Sequence, residues 1–156
     1  MTLIRNAIFG LSAAALVAGT AIAGGHGGNP AVKARKAHMQ LYAYNLGILG
    51  GMAKGEVEFN ADAAQVAADN LATLANMNIG SMWMPGTSSE DLPDESRALA
   101  AIWQADSMIM AEVGKLGDAA NAMAAAAGTL EGVQGAIGAV GGSCGSCHKA
   151  YRAPSN

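Results

Sequence analysis

The sequence predicts an all-α protein, an antiparallel up-down-up-down four-helix bundle. Apolar residues recur at alternating steps of three and four residues in four separate segments, the spacing of a helix with one buried stripe. No segment alternates with period two over the length of a strand, so no sheet is expected. The links between the periodic segments are short except for one, which makes neighbouring helices antiparallel. The chain is 51% hydrophobic but only 4% aromatic. A core built mostly from alanine lacks the bulk to fill its own centre, and a further group is expected to fill it.

Residues 1–23 read as a cleaved export signal. Arg5 is followed by an apolar run from Ala7 to Ala18 and by Ala21-Ile22-Ala23, the order of a charged start, a hydrophobic middle and a small-residue cleavage site. The run is about twelve residues where a membrane span needs about 20, which favours cleavage over an anchor. Residues 24–29 form a glycine-rich lead-in, and residues 30–156 one helical domain. Loss of Arg5 takes the formal charge from −3 to −4, and no basic cluster remains, so nucleic acid has no electrostatic footprint here.

The first helix opens at Asn29-Pro30, a capping residue followed by proline at the first helical position, and runs to about Lys54. Its stripe is Val32, Arg35, Met39, Tyr42, Leu46, Leu49 and Ala53. A second helix, capped by Asn60, reaches about Asn78 with Ala64, Ala67, Leu71 and Leu74 on one face. Gly80, Pro85-Gly86 and Pro93 break helical structure over 80–93, a long connection of the kind that lines sites. The third helix is expected from near Asp94 to Gly128, with Leu99, Ile102, Ile109, Val113, Leu116, Ala120 and Met123 inward. Thr129 caps the fourth, whose stripe is Leu130, Val133, Ile137, Val140, Cys144, Cys147 and Tyr151. Gly132, Gly135, Gly138 and Gly141 each cost that helix about 1 kcal/mol against alanine. They are expected to let backbone and a cofactor approach closely, with attachment of the cofactor restoring the lost stability.

Cys144-Gly145-Ser146-Cys147-His148 has the spacing of a haem c attachment motif. Two thiols one turn apart reach two porphyrin vinyl groups, and the histidine that follows reaches iron from the same helical face. A thioredoxin-like redox pair would place its first cysteine at a helix start beside a sheet. A structural zinc would need four ligands, and only His26 and His38 remain. A disulfide across one helical turn would strain the helix for little gain in chain entropy. None of the residues from Lys149 to Asn156 is a methionine, so the opposite face of the ring falls to an earlier helix, with Met39 on the first stripe as the candidate. The other methionines and Trp103 are expected to pack.

The segment Gly141-Gly142-Ser143-Cys144-Gly145-Ser146-Cys147-His148-Lys149-Ala150-Tyr151-Arg152 resembles the last helix of the class II cytochromes c, the cytochrome c prime family. Arg35 and Met39 match the family's first-helix pattern, Pro85-Gly86-Thr87 its loop, and Ile102-Trp103 its third-helix opening. The resemblance spans the whole mature chain, and the family is itself a standard example of the up-down-up-down bundle. It implies one covalent haem c on Cys144 and Cys147, with His148 as axial ligand. By the same resemblance Arg35 would pair with a haem propionate, Arg152 would sit beside His148, and Lys36 and Asp91 would lie at the haem edge. Met39 either covers a vacant sixth coordination position or binds iron through sulfur. Ile109 stands where the family has an aromatic, and Trp83 supplies the aromatic before the Pro-Gly turn.

The expected function is periplasmic electron transfer with redox partner proteins. The alternative is capture of nitric oxide at a five-coordinate iron. A homodimer through the first two helices is implied by the resemblance. No catalytic turnover is expected, because Arg35 is the only distal polar candidate and the resemblance assigns it to a propionate.

Overall fold

The computed structural model describes residues 28–154. The export signal expected over residues 1–23 and the first part of the lead-in lie outside them. Four helices follow in order, α1 (Pro30–Ala53), α2 (Ala61–Ala75), α3 (Ile109–Ala126) and α4 (Leu130–Tyr151). Each packs on the next and α4 returns to α1, closing a four-membered ring. The only β pairing among the described residues is an isolated bridge between Ala98 and Arg152.

The helix starts follow the local chemistry. Asn29 Oδ1 accepts from the Ala31 and Val32 amides, with Pro30 behind it, and Asn60 Oδ1 accepts from Ala63 N at 2.8 Å. Thr129 Oγ1 accepts from Gly132 N at 3.1 Å. Each cap satisfies amides that the first turn leaves without partners. α1 stops where Gly55 takes a left-handed φ of 74° and its amide turns back to Met52 O, a geometry that favours glycine.

Two expected boundaries are corrected. α2 ends at Ala75, not near Asn78, because Asn76 Nδ2 caps the helix on Ala72 O and also donates to Asn121 Oδ1 on α3. α3 begins at Ile109, not near Asp94. The backbone between is held by tertiary bonds: Leu99 N donates to Tyr151 O, Ala153 N to Arg97 O and Ser89 N to Ala98 O. Amides and carbonyls spent on the C-terminal tail cannot close helical turns, so Leu99 lies outside any helix and Ile102 and Trp103 form a single 3₁₀ turn over Ala100–Trp103.

The core is alanine-rich, as the composition implied. Ala64, Ala67, Ala68, Ala119, Ala120 and Ala127 pack with Leu49, Leu71, Met123, Val133 and Val140. α1 and α4 meet closely at one end only, where Gln134 Nε2 donates to Ala53 O and the Ile137 side chain reaches Gly50. Towards the other end the same two helices line opposite walls of a cavity. Leu130, placed on the inner stripe by periodicity, is 37% exposed. Of the methionines expected to pack, Met52 and Met123 are buried, whereas Met77, Met84, Met108 and Met110 are exposed. They stand at helix ends and in the long connection, where no second layer covers them.

The glycines of α4 do not serve the approach expected of them. A Cβ on Gly132 would strike the Ala126 carbonyl, so this glycine lets the α3–α4 turn close. Gly135, Gly138 and Gly141 are exposed with open space around them, and none lines the cavity.

His38, off the expected stripe, is buried between α1 and α2 at 3% exposure. Its Nε2–H donates to Leu74 O at 3.1 Å and Nδ1 is buried without a partner. Burial lowers its pKa, against a smaller upward push from the Leu74 carbonyl. An unfolded imidazole titrates near about 6.5, so just below that pH the unfolded chain binds more protons than the native one. The stability due to neutral His38 is therefore complete above about 6.5 and is lost as pH falls. Urea midpoints of the holoprotein should drop between neutral and mildly acid pH, and by less in His38→Gln; an unchanged pH slope in that variant would remove His38 from the account.

Candidate functional site

The cavity has a volume of about 500 Å³, within the range of small-molecule and cofactor sites. Apolar side chains make most of its wall: Val32, Met39 and Leu46 from α1, Ile109, Val113 and Leu116 from α3, and Ile102 from the connection. Several of these are only partly buried although the helical periodicity points them inward. They face the cavity in place of protein atoms.

The last two turns of α4 form one wall. Cys144, Cys147 and His148 all line the cavity, and both cysteines are free thiols. Burial pushes the Cys144 thiol up; Cys147 is raised by burial first, then by the charges of Glu112 and Cys144. A redox pair needs an easily formed thiolate, and this environment opposes one. His148 is shifted down by burial and by the charges of Arg152 and Arg97. Its imidazole is thereby held neutral, the form that offers a lone pair to a metal. Among the described residues no group of three or more His, Cys, Asp or Glu side chains could hold a metal ion unaided.

Opposite, Arg35 is 5% exposed. Its Nη1 donates to Thr87 Oγ1 at 3.1 Å and Met82 O at 3.3 Å, and its Nη2 donates to Thr87 O at 3.0 Å and Ser96 Oγ at 2.9 Å. The guanidinium carbon lies 4.6 Å from the centre of the Trp83 ring, a cation–π distance. All these partners are neutral, and among the described residues no carboxylate pairs with Arg35. Burial lowers its pKa, yet a guanidinium stays charged at neutral pH. The cavity thus holds a buried cation with no counter-ion. Trp83 also lines it, and its Nε1–H is buried without an acceptor.

These features fit a haem. Two thiols and a neutral imidazole stand on one wall, apolar side chains suit the faces of a flat ring, and Arg35 awaits an anion such as a propionate. The sites expected from sequence separate here. Lys36, Met39 and Arg152 line the cavity, whereas Asp91 does not. Asp91 is turned onto Ser88, accepting from its amide at 3.0 Å and its hydroxyl at 2.6 Å, and those bonds hold its carboxyl below the usual range. Its role is to shape the loop that carries Thr87.

Tyr42 lies where its place on the first stripe puts it, and Glu112 and Arg97 are two contributors that were not anticipated. Tyr42 lines the wall near Cys144 and packs on His38 with ring centres 4.6 Å apart. Burial and the Cys144 charge push its phenol up to about 12. Glu112 accepts from the Ser146 hydroxyl within the attachment motif and pairs with Lys115 at 2.6 Å. A carboxylate amid Ile109, Val113 and Leu116 on an apolar face was the available signal. Arg97 donates to Ala153 O beyond the end of α4 and stands near His148, and a loop residue of this kind carries no periodicity to betray it.

The model of the family described as cytochrome C′ matches residues 30–152. A cytochrome c′ of Cereibacter sphaeroides is 42% identical over 73 residues, covering 47% of this chain and 48% of that protein. A cytochrome c-554 of Cereibacter sphaeroides is 41% identical over 89 residues, covering 57% of this chain and 66% of that one. The matches thus span about half to two thirds of these relatives. Among solved structures, the cytochrome c′ from Rhodobacter Spheriodes matches with a TM-score of 0.76 and 37% identity, covering 80% of this chain and 96% of that one. A cytochrome c′ with ligand-controlled dimer dissociation gives 0.73 and 31%, covering 82% and 99%. A nitric oxide complex of a mutant cytochrome c prime from Alcaligenes xylosoxidans gives 0.69 and 28%, covering 80% and 94%.

Proposed function

Since the chain belongs to the cytochrome c′ family, whose members bind haem c covalently, we propose that it is a periplasmic electron carrier in which His148 holds the iron. The observation that carries this reading is the cavity wall itself: Cys144, Cys147 and His148 on one side and the uncompensated Arg35 on another. When bound, the haem supplies a one-electron couple whose potential depends on axial ligand, burial and neighbouring charge.

The chain's residues perform the remaining tasks. Cys144 and Cys147 fix the ring through thioether bonds, and His148 presents a neutral nitrogen to the iron. Arg97 binds the backbone just past α4 and so keeps the end of that helix in place. Arg35 ties the loop from Met82 to Ser96 to α1 and would receive a propionate there, and Met39, on the α1 wall, would cover the face of the ring turned away from His148. The exposed residues Lys36, Gln40 and Ala43 line the cavity as well, so the cavity opens where a redox partner could approach a ring held in it. Potentiometric titration of the holoprotein is expected to give one reversible one-electron wave, and an iron that cannot be cycled reversibly would end the carrier reading.

A second reading, capture of nitric oxide, is favoured by the nitric oxide complex among the structural relatives. It requires Met39 to stand over a vacant iron position without bonding to it. Adding the gas to the reduced holoprotein separates the two: an unaltered low-spin spectrum rejects capture, and a spectral change that grows in Met39→Ala supports it. Export to the periplasm is the compartment in which this reading places the chain, and self-association through α1 and α2 is consistent with the exposed Leu41, Tyr44 and Val66 on those helices.

A further inference from the structure

Charge is partitioned sharply between the cavity and the rest of the molecule. Four cations line the cavity, Arg35, Lys36, Arg97 and Arg152, and the sole acidic residue with them is Glu112. The other eleven of the chain's twelve acidic residues lie elsewhere. Glu112 is already neutralised by Lys115. Lys36, Arg97 and Arg152 are exposed, and among the described residues none has a carboxylate within ion-pair distance.

The two carboxylates of a bound haem would offset part of this charge, one of them at the buried Arg35. A positive excess remains at the opening, in a molecule whose formal charge is −3 before loss of Arg5. Local charge at the point of electron exchange outweighs net charge at short range, because exposed charges farther than a Debye length, about 8–10 Å in ordinary buffers, are largely screened.

We propose that the cavity mouth is the docking face for an anionic redox partner, a protein that presents an acidic patch around its own electron-transfer edge. Lys36, Arg97 and Arg152 are the attracting charges. The inference rests on the carrier reading, and it makes a prediction of opposite sign to that of the whole-molecule charge.

The test uses two inorganic probes of opposite charge on the holoprotein: hexacyanoferrate(III), a trianion, and tris(phenanthroline)cobalt(III), a trication, each oxidising the reduced protein in stopped flow. The hexacyanoferrate rate is expected to fall by about 3–10-fold as salt rises from roughly 10 to 200 mM, and the cobalt rate to rise. Lys36→Gln and Arg97→Gln should each reduce the hexacyanoferrate slope. Lys54→Gln, which alters a cation outside the cavity, should leave it unchanged. Lys36 makes no hydrogen bond or ion pair among the described residues, so its variant reports charge without disturbing the fold. A hexacyanoferrate rate that rises with salt, or is flat, or is indifferent to both cavity variants, overturns the docking face while the carrier reading stands. Failure of the protein to react with either probe would instead overturn the carrier reading.

Discussion

Replacing Cys144 and Cys147 together with alanine is expected to cost the chain, once freed of loosely held porphyrin, most of its helical signal and its cooperative unfolding. The cavity between α1 and α4 is about 500 Å³. At roughly 24 cal/mol per Å³, an enclosed void of that size costs on the order of 10 kcal/mol. Water entering from the open side relieves part of this, but the remainder is comparable to the roughly 5–15 kcal/mol that holds a whole domain together. The alanine core offers little in compensation, and α4 carries exposed glycines at positions 135, 138 and 141, each costing about 1 kcal/mol in a helix. Far-ultraviolet circular dichroism and urea denaturation beside the holoprotein check the result. Native helix content with a sharp transition would show that the fold stands without its cofactor.

Arg35→Leu is expected to lower stability by about 3–5 kcal/mol, the range for losing one partner from a buried charged network. The substitution leaves Thr87 O, Thr87 Oγ1, Ser96 Oγ and Met82 O without their donor and removes the cation from Trp83. At roughly 4 °C per kcal/mol for a domain of this size, the holoprotein's midpoint should fall by about 10–20 °C. Arg35→Lys should recover only a fraction, since three donors on one nitrogen cannot span acceptors arranged for a planar fork. Hydrogen exchange localises the effect: protection should drop first between Met82 and Ser96. A uniform loss across all four helices, with that loop no more affected than the rest, would mean that Arg35 does not clamp it.

The local signals in the sequence were reliable where local chemistry decides structure. Asn29, Asn60 and Thr129 cap the helices assigned to them, and the attachment motif lies on the inner face that its spacing dictated. The start of α3 was not legible, because the backbone from Arg97 to Leu99 bonds to Tyr151 and Ala153, more than fifty residues away in sequence, and nothing in the local pattern of apolar residues reports such a partner. His38 was misplaced for a related reason. On α1 the buried face is wider than one stripe, since α2 covers one flank while the cavity occupies the other, and His38 and Asn45 fall on the flank beneath α2. Asp91 carries the same lesson in a loop: the resemblance offered a carboxylate for the haem edge, and two bonds to Ser88 use it locally instead.

The central claim is that Cys144 and Cys147 carry a covalent tetrapyrrole on the wall of a cavity shaped to hold it. Intact-mass spectrometry of the exported, matured protein under denaturing conditions, after treatment with a thiol alkylating reagent, tests it most directly. One added haem mass with no alkylation of either cysteine is the predicted result; two alkylated thiols, or a disulfide-bridged chain without added mass, would contradict it.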